Sequence, residues 1–194
     1  EMVIRDWSSD VCSSDLLAQA DVTKVACAMG LDARIGKDFL SPGIGYGGFC
    51  FPKDVEAFGY IAKKLGYEFN LLREVKNIND QQRFWFVEKI KEKLWVLKNK
   101  KVAVLGLSFK PDTDDLRFAP SLDIVRALVG QGAVVSVCDP KALDEAKNIF
   151  AQDKIEYAND PYQAAKDADC LCLVTEWPQY VNLNFSKIKK IMKY

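Results

Sequence analysis

The 194-residue sequence predicts an α/β protein in two parts: a helical segment ending in one long helix, then a parallel sheet built from alternating strands and helices. Three observations carry that expectation. From Asn70 to Leu97 apolar residues recur mostly at three- and four-residue steps, the period of one helix face. After Asn99 the texture changes to short apolar runs, Lys101–Gly106, Ala133–Asp139 and Cys170–Thr175, with helical patterns between them. Strands that alternate with helices form βαβ units and a parallel sheet. Between the first helices lies a glycine-rich loop, Ser41–Asp54, that fits neither period.

Taken in order, residues 1–16 do not read like the rest. Asp6-Trp-Ser-Ser-Asp-Val-Cys-Ser-Ser-Asp-Leu16 has no helical stripe and resembles the translation of a DNA sequencing-library adapter. It is read as an artefact and set aside from fold reasoning; the rival reading is a disordered serine-rich leader. Trp7 and Cys12 receive no role. Residues 17–98 form the helical part and 99–194 the sheet part. Within 17–29, Val22, Val25, Ala26 and Met29 keep helical spacing, with Gly30 as C-cap. Val55, Phe58, Ile61, Ala62 and Leu65 make one face of a helix over 54–65, stopped by Gly66. The pattern over 70–97 would span roughly 40 Å at 1.5 Å per residue. A helix of that length connects domains or builds a dimer seam, or else is the core helix of one domain.

In the sheet part, 121–129, 141–150 and 161–167 read as helices. Cys170 and Cys172 would point to one face of a buried strand and read as core packing. Asp139 ends a strand where a dinucleotide site places a ribose-binding acid; here it reads as structural. The loop Gly106–Asp115 follows a strand's carboxyl end, where ligands bind in such sheets, but it is not a G-x-G-x-x-G fingerprint. A further strand is expected where the sequence reaches Met192–Tyr194.

Composition excludes several classes. Lys plus Arg (27) equals Asp plus Glu (27), so no net field attracts nucleic acid or an anionic membrane. No apolar run approaches the ~20 residues of a membrane span. There is no histidine, which removes Ser–His and Cys–His pairs and histidine metal sites. The six cysteines include no C-x-x-C pair, which suggests a reducing compartment, the cytoplasm, and no metal.

The glycine loop carries the chemistry. Four glycines fall between Gly43 and Gly48, followed by Cys50, Pro52, Lys53 and Asp54. Pro52 fits a helix's first turn, so Cys50 sits where a loop enters a helix and an anion is favoured. The alternative is a turn holding an inert, buried cysteine.

Taken together, GLDARIG (30–36), FLSPGIGYGGFCFPKD (39–54), REVKNIND (73–80), VAVLGLSFKPDTDDLRFAPS (102–121), VCDP (137–140) and TEWPQY (175–180) resemble the nucleotide-sugar dehydrogenases that act on UDP-glucose. The match runs from about Ala20 to the C-terminus. The resemblance implies a central helical domain that dimerises and a Rossmann-like UDP-binding domain. The family's N-terminal NAD-binding domain is not matched, so the polypeptide alone is expected to be inactive. It also implies NAD as cofactor and oxidation of the sugar C6 in two steps. A cysteine captures the intermediate aldehyde as a thiohemiacetal, then holds a thioester that water hydrolyses to UDP-glucuronate.

By this resemblance Cys50 is the nucleophile, Asp54 helps activate water or relay a proton, and Lys53 steadies negative charge near the thiol. Arg34, Tyr46, Gly47, Phe109 and Lys110 fall on substrate-binding positions, Arg34 reaching across a homodimer interface. Arg117 falls on the arginine that meets the NAD phosphates. The family usually has serine before the nucleophile; this sequence has Phe49. GDP-mannose dehydrogenases, and a non-catalytic nucleotide-binding or dimerisation module, are the alternatives.

Overall fold

The computed structural model describes residues 3–5 and 20–193; the adapter-like stretch 6–16 lies outside the described residues. Five strands form one sheet in the order β1-β5-β2-β3-β4. They are β1 (Val3–Arg5), β2 (Lys101–Leu105), β3 (Val134–Cys138), β4 (Ile155–Tyr157) and β5 (Cys170–Leu173). Every pairing is parallel. β2 is central: Val102 lies opposite both Val135 and Cys170, and Leu105 opposite both Cys138 and Leu173. Its unbroken apolar run follows from burial on both faces. The sequence reading set residues 1–16 aside, yet three of them, β1, pair with β5 at one edge of the sheet.

Helix α1 (Val22–Met29) starts where the Asp21 carboxylate accepts the Thr23 and Lys24 N–H groups, a side-chain cap that fixes its first turn. Gly30 closes it in right-handed conformation, φ −68°, not as a left-handed cap. α2 (Cys50–Lys64) begins four residues before the expected 54, so Cys50 is its first residue. α3 (Asn70–Leu94) stops three residues short of Leu97 because Trp95 turns to φ 63°. Leu97 is buried all the same.

The long helix is both connector and core. At its C-terminal half Phe86, Val87, Ile90 and Leu94 are buried with Val102, Val104 and Val137 of the sheet and with Ile124 and Leu128 of α4 (Pro120–Gly130). Arg83 ties the two helices, its guanidinium 2.6 Å from Asp123 Oδ2. At its N-terminal half Leu71 and Ile78 stay exposed. α5 (Leu143–Ile149) joins this side of the sheet, with Ala146 buried in the same cluster.

The opposite face of the sheet is covered by α6 (Pro161–Ala165), α7 (Pro178–Val181) and α8 (Phe185–Ile191). Ala164, Ala165, Tyr180 and Ile188 pack there against Ala103, Leu105, Leu171 and Leu173. Asn184 caps α8 by accepting the Lys187 N–H, and Met192 and Lys193 beyond it, where a further strand was expected, form none. Cys170 and Cys172 are buried with their sulfurs 4.0 Å apart, as the strand period requires. On α2 the expected apolar face is not a core: Ala62 is buried, while Phe58, Ile61 and Leu65 are exposed.

Candidate active site

The glycine loop is clamped between α3 and the loop that follows β2. Asn79 of α3 accepts the Tyr46 N–H at 2.7 Å and donates to the Tyr46 carbonyl at 3.2 Å. That pair lets a buried amide replace a strand partner for the loop backbone. On the other side the Gly48 N–H donates to the Arg117 carbonyl at 2.9 Å. A Cβ on Gly47 would lie 2.5 Å from the Phe118 carbonyl oxygen, and one on Gly48, at φ +81°, would lie 2.7 Å from the Phe109 ring. Only glycine lets these backbones meet.

The clamp delivers Cys50, exposed, as the first residue of a 15-residue helix. The unpaired N–H groups and partial positive charge of a helix start favour an anion there. The site is therefore an accessible thiol rather than a packed one. Asp54 lies one helical turn on, and Lys53 Nζ stands 3.4 Å from its carboxylate. Arg117 is oriented by a bidentate pair to Asp115, at 2.9 and 2.7 Å. That hydrogen bonding raises the Arg117 pKa, with smaller contributions from the Asp115 charge and from Cys50, and it lowers that of Asp115.

Behind the loop opens a cleft of about 470 Å³, lined by Ser41, Gly43, Ser108, Phe109, Ser121 and Glu176 among others. It lies at the carboxyl ends of β2 and β5 and at the start of α4, where open α/β sheets bind ligands. Its floor is rigid. The buried Asp139 carboxylate accepts the Leu107 and Ser108 N–H groups at 2.7 and 3.1 Å, the Lys141 and Ala142 N–H groups at 2.9 and 2.8 Å, and Trp177 Nε1 at 3.2 Å. Thr175 Oγ1 donates to the Ser108 carbonyl at 2.6 Å, and Ser121 Oγ donates to the Leu107 carbonyl. Asp139 is thus a structural hub.

Two separate motifs, 41–54 and 106–121, therefore converge. Among the described residues no group of three or more His, Cys, Asp or Glu could hold a metal ion. Residues 103–194 match the model for the UDP-glucose/GDP-mannose dehydrogenase family, UDP binding domain, and residues 9–81 match that family's central domain. The chain belongs to the UDP-glucose/GDP-mannose dehydrogenase family.

Within that family the chain is 44% identical to the UDP-glucose 6-dehydrogenase TuaD of Bacillus subtilis over 174 residues, which is 90% of this chain and 38% of that protein. A UDP-glucose dehydrogenase structure from Pyrobaculum islandicum is similar at TM-score 0.83 and 36% identity, over 87% of this chain and 39% of that one. A GDP-mannose dehydrogenase from Pseudomonas aeruginosa is similar at TM-score 0.67 and 25% identity, over 86% and 40%. The chain thus spans about two fifths of the length of these relatives.

Of the family positions, Cys50, Lys53, Asp54, Gly47, Phe109 and Arg117 are drawn to the junction of the two motifs. Lys110 stands over the Phe109 ring, 5.4 Å from its centroid. Arg34 is elsewhere, exposed in a turn and paired bidentately with Asp32 at 2.9 and 2.5 Å. The Tyr46 ring packs edge-on to Phe51 at 4.7 Å and lines a separate cleft of about 80 Å³ with Pro52, Lys76 and Asp80. Burial raises the Tyr46 pKa, with Asp80 adding to the shift. Asn79 went unassigned in the sequence although it stands in the motif REVKNIND. Its signal was a polar residue on the inner face of a helix, which helical periodicity alone passes over.

Proposed function

We propose that this chain is the thiol-bearing and nucleotide-binding portion of an enzyme that oxidises UDP-glucose to UDP-glucuronate. The observation that carries the reading is the exposed Cys50 at a helix start, on a glycine bend held against the loop beside the 470 Å³ cleft. The cleft holds the uridine diphosphate, with Phe109 as an apolar wall and Lys110 as a phosphate partner. Gly47 lets the sugar approach the backbone. NAD, when bound, would supply the hydride acceptor for each of the two oxidations at the sugar C6 carbon. The residue that fits it is Arg117, whose guanidinium side chain is 60% exposed even while paired with Asp115, so a phosphate can approach it.

Cys50 Sγ adds to the C6 aldehyde, its proton passing to the aldehyde oxygen, and holds the thiohemiacetal; loss of that hydroxyl proton and of a second hydride, for which a second NAD would be the acceptor, leaves the thioester on the sulfur. Water cleaves the thioester, releasing the acid and restoring the thiol. Asp54 takes the proton from that water, and Lys53 steadies negative charge beside it. Arg34 reaches a second copy's site. The exposed apolar side chains Phe58, Ile61, Leu65, Leu71 and Ile78 of α2 and α3 support a homodimer. No helix among the described residues is long and apolar enough to cross a membrane, and the five cysteines among them, all free, support a reducing, cytoplasmic setting. The higher identity to the UDP-glucose enzymes favours UDP-glucose over GDP-mannose.

In the full-length enzyme Cys50→Ser lowers UDP-glucuronate formation by about 10³-fold or more, followed as acid product with UDP-glucose and NAD. Unchanged acid production would remove Cys50 as nucleophile. The 194-residue polypeptide alone is expected to form no NADH.

A further inference from the structure

Phe49, the bulky residue before the nucleophile, does not turn away from the site. Its ring has two cations close to its centroid, one from each of the two converging motifs. Arg117 Cζ stands 4.4 Å from the ring centroid and Lys53 Nζ 4.9 Å from it. Both fall within the ~6 Å at which the ring's quadrupole attracts a cation. Two like charges converging on one small site repel each other, and each needs a reason to stay. Arg117 has a second anchor in Asp115, and Lys53 one in Asp54, but the two carboxylates lie on different segments. The aromatic ring is the surface both cations share. Phe49 is also the N-cap residue of α2, without a side-chain hydrogen bond, so its ring serves no capping role. The Gly48 N–H donates to the Arg117 carbonyl at 2.9 Å, so the arginine is held against the backbone two residues before the sulfur.

We propose that Phe49 is a positioning residue that holds the Arg117 guanidinium and the Lys53 ammonium beside Cys50, making the mouth of the thiol site selective for anionic reactants such as phosphate-bearing ligands. A serine at this position has no π face and cannot bring the two cations together. The proposal rests on the reading of Cys50 as the reactive thiol, but it is tested without turnover, so either can fail alone.

The test alkylates the 194-residue chain with iodoacetate, an anion, and with iodoacetamide, its neutral analogue, and measures each site by peptide mass spectrometry. Cys27, exposed on α1, is the internal reference. In the wild type the iodoacetate-to-iodoacetamide rate ratio is higher at Cys50 than at Cys27 and falls with added salt. Phe49→Leu, which keeps an apolar side chain without the quadrupole, and Phe49→Ser lower the ratio at Cys50 by about two- to fivefold with Cys27 unchanged. Phe49→Tyr and Phe49→Trp preserve it. If Phe49→Ser fails to fold, the leucine and tyrosine variants decide. A Cys50 ratio in Phe49→Leu equal to that of the wild type, with unaltered circular dichroism, would overturn the proposal.

Discussion

The sheet part and the helical part bury their apolar residues differently. In β2 the side chains of Val102 to Leu105 are wholly withdrawn from solvent, whereas α2 buries Ala62 alone in fifteen residues. The second is not short of apolar side chains; Phe58 meets the Phe69 ring edge-on at 5.3 Å, yet Phe58, Ile61 and Leu65 all stay exposed. One part completes its own core, and the other offers a surface. Cys50 is placed at the seam, where a loop of the helical part is pinned by backbone of the sheet part. A thiol that must be both fixed and reachable gains from that arrangement: the sheet supplies rigidity and the loop supplies access.

The largest effect should come from the sheet part. Gly106 ends β2 at φ +94°, and a Cβ there would lie 2.5 Å from Thr175 Cβ and 2.6 Å from its backbone nitrogen. Backbone on an adjacent strand end cannot move aside cheaply. Gly106→Val is expected to destabilise by about 4–6 kcal/mol, measured by urea unfolding, and to close the cleft to nucleotide. A variant of wild-type stability would show that the strand ends are looser than the packing implies.

Next comes a pair of phenylalanines on opposite sides of the comparison. Phe86 is 1% exposed and Phe58 56% exposed. Phe86→Ala should cost about 3–4 kcal/mol. Phe58→Ala should change monomer stability by no more than about 0.5 kcal/mol while weakening self-association in sedimentation equilibrium. Equal costs would mean the helical part has a core of its own.

Acid should separate the parts too. The Asp169 side chain, 1% exposed, accepts the Lys101 N–H at 2.8 Å and faces Lys100 Nζ at 3.1 Å and Lys193 Nζ at 4.0 Å. Burial pushes its pKa up, but the backbone donor and the lysines outweigh burial, and the net shift is downward. A carboxylate lowered on folding contributes stability above its unfolded pKa of about 3.9 and loses it as pH falls through the folded value. The sheet part should therefore lose stability below about pH 4. Asp169→Asn should flatten that slope and cost about 1–3 kcal/mol at pH 7. An unchanged acid slope would place the responsible group elsewhere.

How much of this was legible in the sequence depended on whether physics left a local pattern. Lys101–Gly106 could be read because a strand covered on both faces is an unbroken apolar run. Ile155–Tyr157 could not, being two half-covered residues around an exposed glutamate at the far end of the ladder from β1. Helix α8 keeps Phe185, Ile188 and Ile191 at three-residue steps, a period too short, at seven residues and among lysines, to stand out in the sequence. The Cys50 junction was legible because the glycines before it and Pro52 after it carry backbone preferences at known offsets. The clamp by Asn79 was not, since a side-chain-to-backbone pair across 33 residues leaves no local trace. The D-x-R spacing is shared by Asp32–Arg34 and Asp115–Arg117, and in both the acid holds the arginine by the same bidentate pair. That common local geometry does not say which arginine faces a ligand; only the fold brings Arg117 to the thiol.

The smallest effect has the opposite sign, and it tests the same contrast. Gly59 sits inside α2, with a right-handed backbone, facing α3 across a cleft of about 370 Å³ lined also by Val55, Phe69 and Leu72. A Cβ there would meet nothing nearer than Leu72 Cδ2 at 3.9 Å, an ordinary contact. Alanine would reduce the freedom of the unfolded chain and add one methyl to a loosely filled space, so Gly59→Ala should stabilise by about 0.5–1 kcal/mol, read from the urea midpoint. Such a gain is available only where packing is unfinished; the same change at Gly106 meets backbone. If Gly59→Ala destabilised instead, the two helices would have to approach more closely than this, and the helical part would be a core rather than a surface.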